Sequence, residues 1–400
     1  MCIRDSLYTF YSIDTGKKYS RGFHSVALQE MGHLMSVQNL LLSVKSTPYF
    51  ARQDASPQPD QDPFPFSLVK LTKPQLAKFV SAEMPALSSI TSEEDRELAT
   101  QALSLAQFEV GTDINRVGLI YARIYWLFQS SDEAEGPLKF NEEDIKWLKS
   151  VGVNRHVKDS DLENPALLIE SQASSNDWGY AADIKVLKPT NRIEILNAIH
   201  ELLVEGEGHT DNSDSHFSTF FDLYKKWDKA ISTNRLTVQN LPANPTSSTY
   251  PVDHIASPYS ELFDIRYKLM LLDFHHWLAF KNNSDEAESR NLFASWAISE
   301  MKIGVRGIFK ALMTKEFLNE TTDEMVKCAP FFSLPVQPFP VELSESIDLM
   351  EELVGQSNVK ILEIQSHANA TSSDRVVLET IKTKDLKRIE FASGSNFMGS

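Results

Sequence analysis

The chain has 400 residues, enough for one large domain or two smaller ones with cores of their own, so folding requires neither disulfides nor a structural metal. With 42% apolar and 24% charged residues, 18 prolines and 15 glycines, it reads as an ordinary globular chain, which excludes global disorder and fibrous repeats. Fifty-five acids against 39 bases give a net charge of −16, which disfavours binding to nucleic acid or to an anionic membrane surface.

In chain order, Arg21 to Val44 places Phe23, Val26, Ala27, Leu34, Val37, Leu40, Leu41 and Val44 three and four residues apart, the pattern of a helix with one apolar face. A proline-rich connection, 53–65, precedes a short helix at Gln75 to Ala82 that opens on Thr72-Lys73-Pro74. Helices are predicted at Ser92 to Phe108 and across Ile114 to Phe128. The strongly apolar run within the second, Val117 to Phe128, is too short to span a bilayer and carries Arg123. Residues 130–190 read as an insertion or lid. Helical spacing returns at Ile193 to Val204, His216 to Trp227, Ser260 to Phe280 and Glu286 to Leu312. Beyond Pro340 the runs Val359 to Ile364, Arg375 to Ile381 and Arg388 to Phe391 suggest strands, hence a small α+β segment over 342–400.

Glu30 and His33 occupy core positions of the first apolar stripe. A buried carboxylate needs a partner, a hydrogen bond or a cation, and residues three apart on a helix project to one side. Glu-x-x-His can therefore offer an oxygen and a nitrogen to one metal, or form a core hydrogen bond; the residues alone leave both readings open. A second candidate joins Glu207, between Gly206 and Gly208, to His216, although a helix end followed by a Ser215 cap explains the same residues. His275 and His276 stand among Leu272, Phe274 and Trp277 and read as packing residues. Cys2 and Cys328 cannot make a disulfide framework, and Cys328 reads as a core residue. No P-loop, dinucleotide fingerprint, nucleophile elbow or zinc spacing occurs.

Several ordered blocks resemble the ferritin-like domain of the iminophenylpyruvate dimer synthase family of the bacterial violacein and rebeccamycin pathways. They are 7–13 (Leu-Tyr-Thr-Phe-Tyr-Ser-Ile), Gln29-Glu30-Met31-Gly32-His33-Leu34 with Asn39-Leu40-Leu41, pieces of 63–85, Val117-Gly118 with Tyr121, Gly206-Glu207-Gly208, Ser215-His216-Phe217, Ser260-Glu261-Leu262-Phe263 and Ala329-Pro330-Phe331-Phe332. The resemblance implies a mainly α fold, a ferritin-like helical bundle with additional helices over 7–341. It implies a di-iron-type centre, with iron or manganese held by Glu30, His33, Glu207 and His216, acting oxidatively on a small aromatic or amino-acid-derived substrate in a pocket lined by Phe220, Tyr224 and Tyr121. The alternative is a metal-free helical scaffold that binds a partner enzyme or a second copy of itself.

Residues 1–6, Met-Cys-Ile-Arg-Asp-Ser, look like the translated end of a sequencing-library adapter. That places the natural start near Leu7 in a metagenomic fragment and the first bundle helix upstream of it, leaves an apolar groove along 21–44, and makes a cytoplasmic location only a default. Gln29 and Leu119, where relatives carry Glu, and the missing helix imply a site short of carboxylates, holding one metal weakly or none.

Overall fold

The computed structural model describes residues 8–9, 11–15, 17–51, 62–131, 135–140, 142–150, 156–162, 170–181, 184–206, 215–283, 285–320, 322–331 and 336–394. These residues divide into two compact units: 1–46 with 55–239, and 47–54 with 240–400.

The first unit contains β1 (Ile13–Thr15), α1 (Lys17–Ser43), α2 (Lys73–Glu83), α3 (Glu93–Val110), α4 (Val117–Phe128), α5 (Glu142–Ser150), α6 (Arg192–Gly206), α7 (His216–Ser232) and β2 (Thr237–Val238). Local chemistry sets the helix ends. Thr72 Oγ1 accepts from Gln75 N at 3.1 Å with a proline in the first turn of α2, Ser92 Oγ accepts from Asp95 N at 3.2 Å, and Ser215 Oγ accepts from Ser218 N at 3.1 Å. The strands β1 and β2 pair antiparallel, Ile13 opposite Val238.

Five of these helices close a ring by pairwise packing: α1 on α7, α7 on α2, α2 on α4, α4 on α6 and α6 on α1. Phe23, Val26, Leu76, Phe79, Val80, Phe217, Phe220 and Phe221 form one buried cluster inside it, and Leu40, Tyr125, Phe128, Ile195, Leu196 and Ile199 another. Ala27, Leu34, Val37 and Leu41 of α1 are half-buried, and among the described residues no large apolar side chain of this helix is exposed, so no open groove is seen there. Part of the stretch expected as a lid is tied to α1: Asn39 Nδ2 donates to the carbonyls of Ala173 and Leu187 at 2.9 and 2.8 Å, and Ala173 N donates back to Asn39 Oδ1.

The second unit contains α8 (Ala256–Ala279), α9 (Ala287–Ser299), a π-helical turn (Glu300–Val305), α10 (Arg306–Met313), the hairpin β3 (Glu316–Asn319) and β4 (Glu324–Lys327), α11 (Leu343–Ser366) and α12 (Ser372–Gly394). The strands expected within 342–400 are corrected by this result, because all three segments lie in α11 and α12. Short β-branched runs favoured strand locally. Over the longer window Ile347, Met350, Leu353, Val354, Ser357, Ile361 and Ile364 are the buried positions, and their spacing is helical. Cys328 is buried, as expected, and burial pushes its thiol up to about 12.

No helix among the described residues is long and apolar enough to cross a membrane.

Candidate metal centre

Each helix of the ring brings a polar side chain to its interior or its edge. On α1, Glu30 and His33 stand one turn apart with Oε1 and Nδ1 3.5 Å from each other, as three-residue spacing on a helix requires. From α7, which begins at the Ser215 cap, His216 places Nδ1 3.1 Å from the same Glu30 oxygen. The two imidazole rings lie 5.3 Å apart, centroid to centroid. Glu30, His33 and His216 thus each present a ligand atom within 4.8 Å of the others. Their side chains are 13, 6 and 0% exposed, so water cannot solvate them freely.

Two carboxylates not identified from the sequence join this group. His33 Nε2 contacts Glu205 Oε2 at 3.2 Å from the last turn of α6. His216 Nδ1 lies 3.7 Å from Glu83 Oε2, on the last residue of α2. Both were legible as continuations of an apolar face: Leu76, Phe79 and Val80 lead to Glu83, and Ile199 and Leu202 lead to Glu205. The expected extension through Leu203 to Glu207 follows a neighbouring stripe, and Glu207 lies outside the described residues. The three donors that converge include one carboxylate, in line with the predicted shortage, while Glu83 and Glu205 stand against the imidazoles beside them.

Electrostatics follow from this crowding. Burial works against a charged His216, but the carboxylates of Glu30 and Glu83 outweigh it and push the imidazole up to about 10. His33 is raised for the same kind of reason, with burial opposed by Glu205 and Glu30. Glu205 is lowered, chiefly by its contact with His33. Tyr121 of α4 is raised by burial and by the fields of Glu30, Glu83 and Glu205, so its phenol stays protonated.

The donor set fits a divalent transition metal: two imidazoles and a carboxylate gathered in a low-dielectric interior, with further carboxylates beside them. Its unmet bonding points the same way. His216 Nδ1 and Nε2 and Glu83 Oε2 are buried and make no hydrogen bond among the described residues, so the contacts of Nδ1 with Glu30 and Glu83 are close without hydrogen-bond alignment. Glu205 at Nε2 is placed to fix the His33 tautomer that leaves Nδ1 facing Glu30.

Of the expected pocket residues Phe220, Tyr224 and Tyr121, none lines the cavity found along α4 and α6. Phe220 packs between Phe23 and Phe79, with ring centroids 5.2 and 5.4 Å away, as a core residue. That cavity, of about 310 Å³, is lined instead by Leu119, Ala122, Phe140, Trp147, Leu203 and Arg116 among others. His275 and His276, in the second unit, are packing residues as predicted: His275 Nε2 contacts Pro340 O and His276 Nε2 contacts Ser346 Oγ.

A bundle interior carrying carboxylate and imidazole donors defines the ferritin-like class of helical proteins. The family described as ferritin-like matches this chain over residues 2–225, more than half its length, and the chain belongs to that family. No curated protein and no solved structure gives a match.

Proposed function

We propose that the first unit is a metal-dependent oxidative enzyme, with Glu30, His33 and His216 holding iron, or manganese in its place. The observation that carries this reading is the convergence of those three donors inside a ferritin-like ring, with buried nitrogen and oxygen atoms that make no hydrogen bond among the described residues. Bound iron supplies one-electron redox chemistry and activation of dioxygen or peroxide. His33 is oriented by Glu205, His216 is oriented by the start of α7, and Glu30 faces both imidazoles. Tyr121 is held protonated by burial and by the fields of Glu30, Glu83 and Glu205.

The substrate class follows from the resemblance to iminophenylpyruvate dimer synthases: a small aromatic or amino-acid-derived molecule. The cavity along α4 and α6 supports it, with apolar walls at Leu119, Ala122 and Leu203 and the cation of Arg116, and with Ala122 next in sequence to Tyr121. Glu207 remains a proposed ligand from that resemblance.

The test is anaerobic reconstitution of the whole chain with Fe²⁺, removal of unbound metal, and analysis of bound iron followed by oxygen uptake. Bound iron that disappears in Glu30→Gln and His33→Ala is the expected result. Iron and manganese both at background would sink the proposal and leave a helical scaffold that binds a partner protein.

A further inference from the structure

Glu83 has an environment that its helix does not explain. It is the last residue of α2, within the run Gln75 to Glu83 in which every side chain is buried, and it is 1% exposed. Among the described residues its Oε2 has no hydrogen-bond partner, and it is directed toward His216 Nδ1, 3.7 Å away. A buried carboxylate oxygen with nothing to bond is costly to keep. The space it occupies is equally specific. A β-carbon on Gly206, the last residue of α6, would stand 3.0 Å from Glu83 Oε2, closer than carbon and oxygen ordinarily approach. Glycine is ordinary at a helix end, and here its bare Cα also leaves the room that the carboxylate occupies.

We propose that Glu83 is a further metal donor of the centre and that Gly206 is its positioning residue, the missing side chain of Gly206 being what lets the carboxylate reach His216. The proposal rests on the metal-site reading and adds to it a donor from α2 and a backbone position on α6. It also explains why Glu205 and Gly206 are adjacent. Glu205 turns its carboxylate to His33, and the next residue stays bare so that a second carboxylate can enter from the opposite helix.

The experiment is a Co²⁺ titration of the full chain, followed by visible absorption and by the binding isotherm, in the parent, Glu83→Gln, Gly206→Ala, Glu83→Asp and the double variant Gly206→Ala with Glu83→Asp. Circular dichroism checks that each is folded. Loss of the Glu83 carboxylate is expected to weaken Co²⁺ binding by at least the roughly 10–100-fold seen when supporting groups of a metal site are removed, and to change the d–d spectrum because the donor count falls. Gly206→Ala is expected to weaken binding as well. Shortening the acid in that background should recover part of the loss, since aspartate withdraws by one methylene from the added methyl, although Glu83→Asp alone weakens binding.

If Glu83→Gln binds Co²⁺ with the parent's affinity and spectrum while Glu30→Gln does not, the Glu83 assignment is overturned and the metal centre stands. If Glu83→Gln weakens binding and Gly206→Ala does not, the positioning role of Gly206 is overturned. If the parent binds no Co²⁺, both this proposal and the metal-site reading fall together.

Discussion

At the scale of single residues, the first unit concentrates its electrostatics in a few side chains. Burial works against a charged His216, but the carboxylates of Glu30 and Glu83 outweigh it and push the imidazole from an ordinary 6.5 up to about 10. A group whose folded pKa is raised contributes stability that is complete below its unfolded pKa and disappears as pH climbs through the folded one. Metal-free protein should therefore lose thermal stability between about pH 6.5 and about pH 10, and His216→Gln should flatten that decline. Melting curves across the alkaline range test this; an unchanged slope in the variant would show that another group is responsible. Metal binding needs the imidazole without its proton, so it should release protons in the same pH range.

At the scale of elements, the turn that starts α7 carries both a cap and a donor. Ser215 Oγ receives Ser218 N, and His216 is the first residue of the helix. Ser215→Ala should cost about 1 kcal/mol of stability by removing the cap. It should also weaken metal binding, because the turn that aims His216 frays. Ser215→Thr, which keeps a hydroxyl acceptor, should restore both. Chemical unfolding and a metal titration on the same samples read the two effects; loss of stability with unaltered metal affinity would separate the cap from the site. In the second unit the π-helical turn Glu300–Val305 has a comparable structural reason. Arg266 donates to Glu300 and, at 2.7 Å, to Asp385, while Arg388 bonds Asp273 at 2.5 Å and Glu300 at 3.2 Å, all of them buried. Gly304 gives Glu300 room, since a β-carbon there would overlap its carboxylate. Removing one partner of such a network leaves an uncompensated charge. Arg388→Met should cost about 3–5 kcal/mol, measured by urea unfolding of the second unit's signal, and a change below about 1 kcal/mol would show that the network is not structural.

At the scale of the whole molecule, the two units have different internal chemistry: one gathers acids around imidazoles, the other neutralises its acids with guanidinium groups. Metal that binds only the folded first unit stabilises it by mass action. Hydrogen exchange after metal addition should slow in α1, α2, α6 and α7 and stay unchanged across 256–394. Slowing spread equally over both units would contradict a site confined to the first. Arg388→Met should conversely leave the metal isotherm unaltered.

Much of this was legible in the sequence where one periodicity governs many residues. The stripe of α1 put Glu30 and His33 indoors because the helical repeat forces every third or fourth side chain to one face, and proline, serine and threonine marked the helix starts because their local bonding is settled within four residues. The sequence misled where local propensity and longer spacing disagreed, as in α11 and α12, where packing selected the helical face over β-branched runs. Only the tertiary structure could decide which acids meet the imidazoles. Glu83 and Glu205 lie 122 positions apart, Glu205 sits one stripe away from the acid expected from its helix, and the closing of five helices into a ring is what brings their carboxylates to His216 and His33.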